Sequence, residues 1–114
     1  DIRELQLAKG AIAAGINILL RAAGKELADI ERCYLAGGFG NYLKPVSAAT
    51  LKMLPVALAE KVIPVGNAAG TGARLYLLDK KLKEKAEKIM GNVHYLELSG
   101  SGEFQDEFMA SMFF

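Results

Sequence analysis

Arg32-Cys33-Tyr34-Leu35-Ala36-Gly37-Gly38-Phe39-Gly40-Asn41 is the stretch whose reading decides the fold. A short apolar run ends in three glycines within four residues. The run reads as a buried parallel strand, about Arg32 to Ala36, and the glycines as the loop leaving its carboxyl end. Open α/β sheets bind ligands at that end. Glycine lets a backbone approach a phosphate or ribose with no Cβ in the way. A nucleotide-contacting loop is one reading of the stretch, and a tight strand-to-helix turn is the other.

Upstream, Asp1 and Glu4 have capping-box spacing. Ile2, Leu5, Ala8, Ile12, Ile16, Leu19 and Ala23 recur at helical spacing, and Gly24 supplies the stop. Gly10, Ala11, Ala14 and Gly15 keep this helix slim. Each interior glycine costs roughly 1 kcal/mol against alanine, so close approach of another element is the expected compensation.

Downstream, Lys44-Pro45 breaks the backbone and Ser47 can cap a short helix over Ala48 to Leu54. Pro55 ends or interrupts it, and a further turn is expected through Val56 to Glu60. Lys61-Val62-Ile63-Pro64-Val65 reads as a second strand, with the proline placing it at an edge or strand end. Gly66-Asn67 closes it. A helix follows from about Ala68 to Asp79 with Leu75, Leu77 and Leu78 inward. Ala69, Gly70, Gly72 and Ala73 suit either a close crossing over the sheet or amides aimed at an anion.

Lys80 to Met90 carries five lysines with Glu84 and Glu87, the pattern of a solvated helix face. Gly91-Asn92 stops it. Val93-His94-Tyr95-Leu96-Glu97-Leu98 alternates as a third strand would. After a Ser99–Gly102 turn comes an amphipathic helix with Phe104, Phe108, Met109 and Met112 on one stripe. The expected order is α-β-α-β-α-β-α, one α/β domain over 1–114 with a mainly parallel three-stranded sheet and helices packed around it.

Composition narrows the function classes. The 114 residues are 52% hydrophobic, enough for a small core, and fourteen basic against thirteen acidic side chains leave a net charge of +1. That balance gives no nucleic-acid footprint and no anionic-membrane partner. Cys33 is the single cysteine, so an internal disulfide is excluded and the chain alone cannot hold an iron–sulfur cluster. His94, the single histidine, has no ligand types spaced around it, and no metal site is expected. No apolar run approaches the ~20 residues of a membrane span, and a cytoplasmic location is expected.

Three segments together resemble one family: Asp1-Ile2-Arg3-Glu4-Leu5-Gln6-Leu7-Ala8-Lys9-Gly10-Ala11, Leu35-Ala36-Gly37-Gly38-Phe39-Gly40-Asn41-Tyr42 and Val65-Gly66-Asn67-Ala68-Ala69-Gly70-Thr71-Gly72-Ala73. They resemble the carboxyl-terminal region of the reductive activators of corrinoid proteins, and Phe104-Gln105-Asp106-Glu107-Phe108 fits the same family's tail. The resemblance implies the last part of a ribonuclease-H-like lobe of the acetate kinase, sugar kinase, heat-shock chaperone and actin type. It implies a larger parent with a 2Fe–2S cluster in an amino-terminal domain, ATP and magnesium as cofactors, and electron transfer to a corrinoid protein.

By that resemblance the adenosine-contacting motif maps onto Gly37, Gly38, Phe39, Gly40 and Asn41. Gly37 and Gly38 would bring backbone to the ribose and α-phosphate, Phe39 could pack near the purine, and Asn41 could bond a polar edge. Gln6 and Lys9, one helical turn apart, could face the same nucleotide or simply be solvated. Gly66-Asn67 is a second candidate loop. The family's magnesium- and water-positioning acids lie on strands outside this stretch, so no catalytic residue is assigned and the chain alone is not expected to be an enzyme. The competing reading is a non-enzymatic interaction or dimerisation module, through an exposed sheet edge or the terminal helix, of another iron–sulfur fusion protein.

Overall fold

In a computed structural model of the chain, residues 2–37, 44–50 and 52–113 are described. Helix α1 spans Ile2–Ala23 and a single 3-10 turn spans Leu27–Asp29. Strand β1 (Cys33–Ala36) is followed by α2 (Pro45–Thr50), α3 (Val56–Ala59) and β2 (Val62–Gly66). Helices α4 (Ala68–Leu78), α5 (Lys80–Met90) and α6 (Gly102–Ser111) complete the order.

Helix α1 forms and stops as its sequence dictates. Glu4 sits in its first turn and Arg21 in its last, each with the sign that the helix dipole favours. Gly24 has φ +65° and closes a Schellman motif: its N–H donates to Arg21 O at 3.1 Å and that of Lys25 to Leu20 O at 2.9 Å. Helix α2 ends on the same motif with a different residue. Lys52 has φ +62°, its N–H donates to Ala49 O at 3.0 Å, and that of Met53 donates to Ala48 O at 2.9 Å. This helix begins at Pro45, which suits the first helical position because its missing N–H has no partner to lose. Ser47 therefore lies inside the helix rather than capping it, and Met53 and Leu54 belong to the turn that follows.

The two strands run parallel, with α2 and α3 in the crossover. Cys33 pairs with Val62, Tyr34 with Ile63 and Leu35 with Pro64, after which the register skips Val65 and Ala36 pairs with Gly66. Pro64 is accommodated in a strand with one partner. Cys33 and Leu35 turn half-buried toward the core, while Tyr34 and Ala36 face outward. The core beneath is built from Ala48, Met53 and Leu54, with Leu5, Ile16 and Val62 packed on them. Ala14, Ile18, Ala49 and Leu58 are also buried.

Helix α6 lies along α1. At Gly10 a Cβ would sit 3.0 Å from Met112 Cγ and 3.2 Å from Phe108 O, so any other residue would crowd this approach. Phe104 and Phe108 stack with ring centroids 5.9 Å apart. Asn17 Nδ2 donates to Glu107 at 3.0 Å, and the Arg21 guanidinium bridges Glu103 at 3.1 Å and Glu107 at 3.0 Å. The slim face expected of α1 is thus used, by the terminal helix.

Three expectations fail. Among the described residues the sheet has two strands, not three: Val93–Leu98 runs without ladder pairing. Alternation specifies an extended segment with two faces but does not provide a neighbouring strand. Leu75, Leu77 and Leu78 do not point into a core; they are 40%, 82% and 74% exposed, and no residue of α4 is buried. Nor do the small residues of α4 serve a close crossing over the sheet. A Cβ at Gly70 would lie 2.5 Å from Asn67 Nδ2, so Gly70 makes room for the Asn67 cap, while the space beside Gly72 is open. Asp79 then ends α4 and starts α5, its carboxylate accepting from Lys81 N at 2.9 Å and Leu82 N at 3.3 Å.

Candidate functional site

Both parallel strands terminate at one rim. Ala36 and Gly66 are partners there, and the Gly37 N–H donates to Gly66 O at 2.7 Å. Gly37 and Gly66 both take left-handed backbone, with φ +78° and +60°. A side chain at either position would be strained. The backbone therefore turns sharply at Gly37 and at Gly66, which sit side by side at the rim. Among the described residues, none other than its chain neighbours lies within 4 Å of where a Gly37 Cβ would be.

Gly66 leads straight into Asn67, the N-cap of α4, whose Oδ1 accepts from Gly70 N at 3.0 Å. One of the amino-terminal amides of α4 is thereby engaged within the chain, and the Gly66-Asn67 loop has fewer donors to offer an anion than its sequence suggests. Of the residues mapped to adenosine contact, Gly37 lies at the rim; Gly38, Phe39, Gly40 and Asn41 fall outside the described residues.

Lys9 does not share that rim. It is 1% exposed, and its Nζ donates to the carbonyl oxygens of Ser111, at 2.6 Å, and of Phe113. Burial, and secondarily the charge of Lys52, hold its pKa below the usual lysine value. Lys9 therefore anchors the end of α6, and the reading that placed it toward a nucleotide is replaced by this one. Gln6 is half-buried. Cys33 is the single thiol of the sequence, whereas an iron–sulfur cluster requires about four ligands. Among the described residues, no group of three or more His, Cys, Asp or Glu side chains could hold a metal ion, and no helix is long and apolar enough to cross a membrane.

A two-stranded parallel sheet with a helical crossover places the described chain in the α/β class. The chain belongs to the family described as the C-terminal domain of RACo, the ASKHA domain, whose model matches residues 1–114. It is 36% identical over 114 residues to the corrinoid activation enzyme RamQ of Eubacterium limosum, covering 100% of this chain and 19% of that protein. It is 28% identical over 116 residues to the Co(II) methylated amine-specific corrinoid protein reductase of Methanosarcina barkeri, covering 98% of this chain and 21% of that protein. Among solved structures it resembles a reductive activator for corrinoid, iron-sulfur protein, with a TM-score of 0.86 and 38% identity over 97% of this chain and 18% of the other. The chain thus spans about a fifth of the length of the relatives it matches.

Proposed function

We propose that this chain is the nucleotide-contacting carboxyl-terminal piece of an ATP-dependent reductive activator, one that drives an electron onto a corrinoid protein, and that it supplies no catalytic group itself. The observation carrying this reading is the paired glycine exit at the rim, where Gly37 N–H meets Gly66 O at 2.7 Å. Both backbones are left-handed there, and no described residue beyond its chain neighbours comes within 4 Å of a Gly37 Cβ. The family membership and the names of the relatives support the corrinoid partner. Gly37 and Gly38 would bring backbone to the ribose and α-phosphate, with Phe39 near the purine and Asn41 bonding a polar edge. In this reading ATP supplies the driving force for the uphill electron transfer, and magnesium and a 2Fe–2S cluster would be held elsewhere in the parent. Gly38→Val in the full-length protein should weaken ATP binding at least tenfold with little change in melting temperature. Unchanged ATP affinity would remove the loop assignment.

A second reading, an interaction or dimerisation module, draws on the exposure of Leu77 and Leu78 and on the unpaired outer edges of the two-stranded sheet. It requires a concentration-dependent dimer. Light scattering that shows monomer alone over a wide concentration range would dismiss it.

A further inference from the structure

A groove of about 340 Å³ opens between α1, the turn after α2 and the end of α6, with Lys9, Asn17, Lys52, Val56 and Ser111 among its lining residues. Two unusual residues meet in it. Lys9 is the one buried charged residue among those described. Lys52 is the one non-glycine residue among them with left-handed backbone. Its position is the one that Gly24 occupies in the equivalent motif of α1, where glycine incurs no steric cost. A lysine is thus held in a conformation that a glycine would take more easily, and its side chain lines the groove. Strain of this kind is a pointer to function when a second observation accompanies it.

The groove's electrostatics are that second observation. Among the described residues, no Asp or Glu lines it. The Lys52 charge acts directly on Lys9 and works against its ionisation, so two like charges face the same space. The carbonyl oxygens of Ser111 and Phe113 fix the Lys9 ammonium in place, while the Lys52 side chain makes no hydrogen bond or ion pair with the described residues. A cleft of this size suits a small molecule.

We propose that this groove binds a small anion, a phosphate- or carboxylate-bearing metabolite, with Lys52 as the charged arm that closes on it and Lys9 as a fixed charge at its floor. The groove shares no lining residue with the Gly37–Gly66 rim, so the proposal stands or falls apart from the nucleotide reading.

The test is anion binding by the full-length protein at low ionic strength, where screening is weak. Inorganic phosphate and malonate are the probes, chloride at matched ionic strength is the control, and melting temperature and chemical-shift changes are the readouts. Phosphate or malonate should raise the melting temperature beyond chloride, and whichever does so identifies the ligand's anionic group. Lys52→Gly should weaken that binding at least tenfold without lowering the melting temperature of the ligand-free protein, because the turn is retained. Lys52→Arg should retain binding, and Gly38→Val should leave it unaltered. Equal effects of all three salts, or undiminished binding by Lys52→Gly, would overturn the proposal.

Discussion

The Lys9 ammonium donates to the carbonyl oxygen of Ser111 at 2.6 Å, joining residues 102 positions apart and tying the last turn of α6 to the first half of α1. The same nitrogen also donates to Phe113 O. Cations are favoured at a helix carboxyl end, where unpaired carbonyls concentrate negative potential. Lys9→Met keeps the buried stem but leaves two carbonyls without their donor, a loss of about 1–3 kcal/mol. Hydrogen exchange should show the end of α6 opening first, ahead of the sheet. Unchanged protection from Phe108 to Met112 would show that the tail is held by packing alone.

The paired Schellman motifs make opposite predictions. Gly24→Ala forces a Cβ into left-handed backbone and should destabilise by roughly 1 kcal/mol. Lys52→Gly relieves the same strain and should stabilise by a similar amount, offset in part by the greater freedom of glycine in the unfolded chain. Denaturant midpoints of the two variants should move in opposite directions. The spaces beside Gly24 are open within 4 Å, so the alanine effect isolates backbone strain from packing.

Gly10 sets the distance between α1 and α6. Alanine would gain about 1 kcal/mol of helix propensity but crowd the Phe108 carbonyl at 3.2 Å. Met112 can swing aside; the carbonyl cannot do so without moving the helix. Valine adds two further methyls and β-branching to the same contact, and Gly10→Val should cost about 1–3 kcal/mol through overpacking. The Arg21 guanidinium and Glu103 are exposed and Glu107 is half-buried, so the bridges are partly screened and Arg21→Ala should cost less than Gly10→Val and less still at high salt. Reversal of that ranking in a urea series would mean the exposed ion pairs, not the close approach, hold α6.

How far the sequence disclosed this arrangement depends on whether the information was local. The stop at Gly24, the two strands around Leu35 and Ile63, and the lysine-rich α5 were legible because capping and periodicity act within a few residues, whereas α2 stops at Lys52 rather than at Pro55, which instead starts α3. Lys9 was not. Its partners lie about a hundred residues away, and a lysine in an apolar helix run carries no local mark of them. Leu77 and Leu78 show the converse: their spacing is that of an inward face, but no element among the described residues covers them. Val93 to Leu98 fails for the same reason, since alternation supplies a strand's faces and not its neighbour. At the rim, the glycine run announced sharp turning, whereas the Gly37–Gly66 bond that sets the two exits side by side depends on a register no single segment contains.

The turn after Val93–Leu98 carries a pH dependence of defined sign. The Ser99 hydroxyl, then the Tyr95 hydroxyl at 2.6 Å, then the Ser99 amide at 3.2 Å donate to the Glu97 carboxylate and hold its pKa below the usual carboxylate value. The same contact with Glu97, followed by burial, pushes the Tyr95 phenol up. Because the folded Glu97 binds its proton less readily than the unfolded one, the contribution to stability is complete above the ordinary carboxylate range. It is lost as pH falls through the lowered folded value. Amide exchange at Ser99, followed from neutral pH downward, should therefore stay slow through the ordinary carboxylate range and quicken only below it. In Glu97→Gln the Ser99 amide should exchange faster at neutral pH and lose its acid-dependent step. A step of equal size persisting in that variant would assign it to another carboxylate and detach the turn from Glu97.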